Sequence, residues 1–270
     1  EDEVWRSAAS HLYQAQCNCA YWHGLFGGLY LPHLRSAVFT HLIEAERAIE
    51  TAARAGNDRT AVRTADIDGD GVEEVCIASP SVKIVMKRRG AALRELDLRD
   101  PAFNLTDTLT RREEIYHDRL AGIGEDGAAA GEALSIHDVV AAKEKHLDRV
   151  LAYDFHPRHS LLDHFIDAET ALDRFARAAY EERGDFLSAN WDLSLDESKA
   201  APVLCFSRTG EVRTAEGSRG LFIEKRLSPA GDAGFDARWF LRPVEGGLRC
   251  RLAVESVLSF LAGDAPDRYV

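Results

Sequence analysis

Glu74-Val75-Cys76-Ile77-Ala78, Val82-Lys83-Ile84-Val85-Met86 and Leu93-Arg94-Glu95-Leu96-Asp97-Leu98 follow one another along the chain, parted by Ser79-Pro80-Ser81 and by a stretch containing Gly90. Short apolar runs rich in β-branched residues and bounded by turn formers read as strands. Downstream, Val203-Leu204-Cys205-Phe206, Gly220 to Lys225 and Leu248 to Val254 repeat the pattern, and the last strand-like segment is Val254 to Leu258. Many short strands with turn signals between them predict an antiparallel β-sandwich.

Upstream the period changes. Val4, Ala8 and Leu12 recur at helical spacing, as do Leu34, Val38, Leu42, Ala45 and Ile49, with Pro32 near the start of the second helix and Gly56 as its stop. A helix pair buries too little surface to offset chain entropy, so these faces must pack on the later domain or on one outside this chain. The predicted class is α+β. A helical segment spans residues 1–58, and a β-sandwich, open to truncation at its C-terminus, spans 59–270. Residues 138–151 look helical, Phe165, Leu172, Phe175 and Ala179 keep near-helical spacing, and Gly122 to Gly131 reads as a flexible loop.

The totals exclude several classes. A chain of 270 residues with 46% hydrophobic and 29% charged residues is an ordinary globular one. A net charge of -12, with basic residues interleaved among acids, argues against a nucleic-acid partner. No apolar run is long enough to span a membrane, and the acidic start Glu1-Asp2-Glu3 is not a targeting segment. The absence of an initiator Met, with two helix faces in want of a core, suggests a piece of a longer protein. Cys17, Cys19, Cys76, Cys205 and Cys250 form no disulfide pattern, so reduced thiols and a cytoplasmic location are expected.

The most informative stretch is Ala15-Gln16-Cys17-Asn18-Cys19-Ala20-Tyr21-Trp22-His23-Gly24-Leu25-Phe26-Gly27-Gly28. It sets aromatic faces beside amide and imidazole groups on a glycine-loosened backbone. Sugars present C–H patches ringed by hydroxyls, which such a platform suits. The alternative reading is a tight connection between helices with Trp22 in the core.

Continued by Leu29-Tyr30-Leu31-Pro32-His33-Leu34-Arg35, this stretch resembles the fifth conserved region of glycoside hydrolase family 57, in its 4-α-glucanotransferase and α-amylase branch. Arg88-Arg89-Gly90, Phe103 to Asp107, Leu109 to Glu114, Tyr153-Asp154, Leu161 to Phe165 and Gly184-Asp185-Phe186 resemble signposts of that branch's C-terminal domain. Cys19 departs from the pattern, which has Asp there in some members. The resemblance implies a sandwich of galactose-mutarotase-like type and a role in carbohydrate metabolism. It also implies an α-glucan or malto-oligosaccharide substrate, with Trp22, His23, Tyr21, Asn18 and Gln16 lining sugar subsites. The family's retaining chemistry uses a Glu nucleophile and an Asp acid/base on the strands of a catalytic barrel that precedes this motif. The resemblance therefore assigns no catalytic residue here and makes that N-terminal barrel the chief partner. A stand-alone carbohydrate-binding module without catalysis is the alternative. An epimerase-like sandwich enzyme would need a convergent His and Glu pair, which the sequence does not nominate.

Asp66-Ile67-Asp68-Gly69-Asp70-Gly71-Val72-Glu73-Glu74 spaces oxygen ligands as calcium loops in hairpin turns do, so Asp66, Asp68, Asp70 and Glu74 are candidate ligands. A solvated acidic turn is the competing reading. No cofactor is otherwise required. Glu114-x-x-His117 occurs once and makes a poor metal site, Cys17-x-Cys19 lacks a second pair, and Asp154, His156, His159, Asp163 and His164 read as a polar surface loop.

Overall fold

The computed structural model describes residues 2–23, 27–54, 60–115, 117–120, 149–196, 202–230 and 234–260. Two compact units divide the chain. Glu1–Thr108, His159–Glu169 and Glu181–Val270 form the larger, and Leu109–Arg158 with Thr170–Tyr180 the smaller.

In the larger unit, β1 (Ala61–Ala65), β2 (Glu74–Ala78), β3 (Val82–Lys87), β4 (Ala92–Leu98) and β5 (Phe103–Asn104) form one sheet in sequence order. Every pairing in it is antiparallel. A second sheet has the order β10-β9-β8-β7, from β7 (Asp192–Asp196), β8 (Val203–Thr214), β9 (Gly217–Ala230) and β10 (Gly234–Pro243). A third pairs β6 (Leu162–Ile166) with β11 (Arg251–Glu255). Val75, Ile77, Ile84, Met86 and Leu96 from the first sheet share one buried cluster with Leu204, Phe206, Val212, Leu221, Ile223 and Leu227 from the second. Phe165, Phe186 and Trp191 complete that cluster. This is the predicted sandwich.

The runs read as strands at 74–78, 82–86 and 93–98 are β2, β3 and β4, while those at 203–206 and 220–225 lie inside longer strands. Pairing on β11 ends at Glu255, so the segment Val254 to Leu258 is strand only at its start. Phe165 belongs to a strand, and only Leu172–Ala176 of its apparent helical series is helix. β6 is buried at every position. With both faces covered, the alternation that marks a strand disappears. The predicted loop at 122–131 and most of the predicted helix at 138–151 lie outside the described residues.

Helix α1 (Asp2–Ala15) packs on helix α2 (Pro32–Arg54), with Ala8 and Ala15 of α1 buried. Helix α2 is in turn tied to the first sheet and its loops. Arg35 pairs with Asp107 at 2.8 Å, Lys83 with Glu46 at 2.6 Å and Arg99 with Glu50 at 2.6 Å. Thr40 Oγ1 donates to the Ala102 carbonyl at 2.9 Å. Lys83 and Glu46 place α2 on the face of β3 that points away from Ile84 and the core, since successive side chains of a strand alternate. That cover explains why β2 and β3 are buried along their whole length.

Two buried polar clusters lock the strands. Lys225 on β9 is 1% exposed, and its ammonium donates to the carbonyls of Gly90 (3.0 Å), Ala91 (3.1 Å) and Leu161 (2.6 Å). It also lies 2.9 Å from Asp163 Oδ2 and 4.9 Å from the Trp191 ring centre. Asp163 Oδ1 accepts from Trp239 Nε1 at 2.8 Å. Next along β6, the fully buried His164 lies between Glu182 (Nδ1, 3.1 Å) and Glu255 (Nε2, 3.2 Å). Asp163 and His164 were expected in a surface loop and are instead strand residues of the core. Their partners are far away in sequence, so local spacing carried no sign of them.

In the smaller unit, α3 (His117–Leu120) and α4 (Leu172–Ala176) are single turns. Tyr180 meets Phe155 and Phe175 at ring-centre distances of 5.3 and 4.9 Å. Burial raises Asp154's pKa, but hydrogen bonds from Arg111 outweigh it and leave the carboxyl below its ordinary value. Glu114 N–H donates to His117 Nδ1 at 3.1 Å, so this pair closes a local turn. No described helix is long and apolar enough to cross a membrane.

Candidate functional site

The motif forms the connection between α1 and α2. After Ala15 the chain tightens into a 3-10 turn, Asn18–Ala20, and Tyr21 Oη reaches back to the Ala15 carbonyl at 2.7 Å. Leu29 N–H donates to the Trp22 carbonyl at 3.0 Å, which brings the chain back on itself. Gly28 makes this return possible. Its φ is +53°, and a Cβ there would lie 2.2 Å from the Trp22 oxygen. A second 3-10 turn, Gly28–Tyr30, leads into Pro32, whose fixed φ suits the first position of a helix. Arg35 then bonds the Leu29 carbonyl as well as Asp107, joining the motif to the sandwich.

Held this way, residues 16–19 and 21–23 of the motif are exposed. Tyr21 is 59% and Trp22 55% exposed, and Gln16, Asn18 and His23 are exposed beside them. The His23 ring meets Tyr30 edge-on at 5.6 Å. Trp22 is therefore not a core residue; the buried tryptophan is Trp191. Trp5 and Tyr13, exposed on α1, add aromatic surface to the same helical segment. Exposed aromatic rings together with amide and imidazole groups can hold a sugar by its C–H face and its hydroxyls.

The acidic loop lies elsewhere on the larger unit, between β1 and β2. Asp66, Asp68 and Glu74 bring carboxylate oxygens within 4.8 Å of one another, whereas Asp70 is not part of that group. Asp66 already accepts from the N–H groups of Gly69, Asp70 and Gly71, and Ile67 N–H donates to Glu74 Oε2. Glu74 Oε1 is buried and has no hydrogen-bond partner among the described residues. The ammonium of Lys87 stands among these acids, 2.6 Å from Asp68, 3.0 Å from Asp70 and 3.4 Å from Glu74. Burial pulls Lys87 towards neutrality, yet Asp68 and Asp70 overcome it and hold its pKa above the ordinary lysine value. Asp70 is held low, chiefly by its bond to Lys87 and then by the Val72 N–H. Reading the loop alone missed Lys87. The available signal was register: β2 and β3 are antiparallel neighbours, and Lys87 follows Met86, the partner of Val75, just as Glu74 precedes Val75.

The whole chain is similar to known enzymes. Residues 66–270 match the family model described as alpha-amylase/4-alpha-glucanotransferase, C-terminal, and residues 1–49 match the middle domain of the same enzymes. The chain is 33% identical over 271 residues to alpha-amylase 1 of Dictyoglomus thermophilum, covering 99% of this chain and 37% of that protein. It is 38% identical over 255 residues to the 4-alpha-glucanotransferase of Thermococcus kodakarensis, covering 93% and 36%. The crystal structure of the 4-alpha-glucanotransferase from Thermococcus litoralis superposes with a TM-score of 0.71 at 30% identity, over 90% of this chain and 33% of that one. The chain thus spans little more than a third of the length of these relatives.

Proposed function

This chain belongs to the alpha-amylase/4-alpha-glucanotransferase family, and we propose that it supplies part of the sugar subsites and a supporting sandwich to a larger retaining α-1,4-glucan enzyme. The observation that carries this reading is the exposed Tyr21-Trp22-His23 surface on a connection that Arg35 clamps to the sandwich. Trp22 stacks on the C–H face of a glucose unit, and His23, Asn18 and Gln16 take hydroxyls at its rim. Tyr21, pinned through its hydroxyl, offers a second ring. These groups bind and orient. The double displacement itself needs two carboxyls about 5–5.5 Å apart, one as nucleophile and one as acid/base, and the N-terminal barrel would provide them. A stand-alone module is disfavoured by similarity to both the middle and the C-terminal segments of longer enzymes.

The test is Trp22→Ala, both in this chain and in the enzyme with its barrel. We expect the chain alone to bind maltoheptaose weakly, with Kd near or above about 1 mM, because one wall of a groove supplies few contacts. We expect the full enzyme to lose roughly tenfold to a hundredfold in kcat/KM on α-1,4-glucan with this substitution. An unchanged kcat/KM would remove Trp22 from the subsites. Tight binding by the isolated chain, lost with Trp22, would restore the module reading.

We further infer a structural calcium site in the acidic loop, held by Asp66, Asp68 and Glu74 with Asp70 at its edge. Lys87 competes for the same oxygens, so affinity is weak, and Lys87→Met should tighten calcium binding by about tenfold or more. Calorimetry that detects no calcium in either protein at millimolar concentration eliminates the site. The unbridged cysteines Cys17, Cys19, Cys76, Cys205 and Cys250 accord with a reducing cytoplasm as the working compartment.

A further inference from the structure

At one end of the sandwich, where β6, β8 and the approach to β11 come together, the larger unit holds a cavity of about 420 Å³. Its lining is unusual for an acidic protein. Arg183, Arg213, Arg249 and Arg251 face it against only two carboxylates, Asp167 and Glu169, in a chain of net charge -12. Arg251 opens β11, and Arg249 lies two residues before it on the approach to that strand.

Internal pairing takes up part of this charge. Arg183 pairs with Asp167, and Arg213 makes a 3.3 Å contact with Glu181, in which both side chains are more than half exposed. Arg251 donates to the Asp167 carbonyl at 3.4 Å. Arg249 has no ion-pair partner among the described residues. The scaffold beneath is firm, since Arg183 N–H bonds the Phe165 carbonyl and Arg213 N–H the Arg183 carbonyl, both at 2.8 Å.

Guanidinium groups present planar pairs of donors that match the oxygens of phosphate or carboxylate. Asp167 and Glu169 would repel a ligand that is anionic throughout, but they accept well from hydroxyls. The combination suits a molecule with an oxyanion at one end and hydroxyls at the other, and the volume is that of a small-ligand site. We propose that this cavity binds a phosphorylated sugar of hexose size, with the phosphate on Arg213, Arg249 and Arg251 and the hydroxyls on Asp167 and Glu169. Nothing in this depends on the Trp22 surface, which lies on the helical segment.

The experiment is calorimetric titration of the 270-residue chain at constant ionic strength with glucose 1-phosphate, inorganic phosphate and glucose. We expect saturable binding of glucose 1-phosphate, about tenfold weaker binding of phosphate, and none of glucose at up to about 10 mM. Arg249→Ala and Arg213→Ala, both at exposed positions, should each weaken the sugar phosphate about fivefold or more, whereas Trp22→Ala should leave it unchanged. Absence of saturable binding overturns the proposal, as does equal affinity in the arginine variants. Inorganic phosphate binding as tightly as the sugar phosphate would overturn the sugar assignment.

Discussion

His164 illustrates what a single buried side chain does here. Burial disfavours its charged form, but the carboxylates of Glu182 and Glu255 outweigh that and raise its pKa above the ordinary histidine value. The consequence for stability has a definite sign. The folded protein holds this proton more tightly than the unfolded chain, so the contribution is complete below the unfolded pKa of about 6.5 and is lost as pH rises through the folded value. His164→Gln removes the charge and leaves two carboxylates facing a neutral side chain. It should cost about 3 kcal/mol at pH 6, and the difference from the parent protein should shrink as pH rises towards 9, read from urea unfolding at each pH. A gap that does not change with pH would mean that His164 is neutral in the folded state. Lys225 shows the opposite balance. Burial lowers its pKa against the pull of Asp163, and its three carbonyl partners and one carboxylate show why the core tolerates an ammonium there at all.

Among the elements, the connection between α1 and α2 was half legible. The helical periods on either side of it, and the aperiodic aromatic stretch between them, are visible in the order of residues. That Trp22 would be exposed was not, because a tryptophan is as suitable for a core as for a sugar platform. The deciding contacts were Tyr21 to Ala15, Leu29 to Trp22 and Arg35 to Leu29. Gly28→Ala should therefore be costly, since strain at positive φ adds to collision with the Trp22 oxygen; a loss of about 2–4 kcal/mol is expected from thermal or urea unfolding. Gly71→Ala makes a useful contrast. Gly71 also has positive φ, +83°, but a Cβ there meets nothing within 4 Å, so about 1 kcal/mol is the expected cost. Equal costs at the two glycines would refute the close approach at Gly28. Strand β10 was also missed, although Phe235, Ala237 and Trp239 pack against the core while Asp236 and Arg238 between them are exposed, the period-two alternation of a half-buried strand.

Within the larger unit as a whole, α2 and the first sheet meet across ionised groups as well as apolar ones, and Asp97 records the cost. Burial, then the neighbouring Glu95, push its pKa up to about 7, against help from Lys83 at 3.9 Å and Asn104. Here the folded state retains a proton that the unfolded chain gives up near the ordinary carboxylate value. Stability therefore falls as pH rises from about 4 to about 7, and then levels off. This window lies below that of His164, so the two are separable. Asp97→Asn keeps an acceptor for Asn104 and should flatten the lower part of the profile, stabilising the protein by about 1 kcal/mol or more at pH 8 and hardly at pH 4.5. An unchanged slope would place the titration elsewhere.

The order of residues alone carried the class and family. Period two and period 3.6 mark strands and helices wherever one face stays wet, and a long motif such as Gln16 to Arg35 is too specific to arise from packing needs. Folding in three dimensions added what depends on residues distant in sequence. Lys87 stands among the acids of the 66–74 loop, Lys225 and His164 are buried with partners from other strands, and four arginines from three segments line one cavity. Charges attract across whatever distance the fold leaves between them, and that distance is fixed by strand register and layer packing, neither of which is written in local composition.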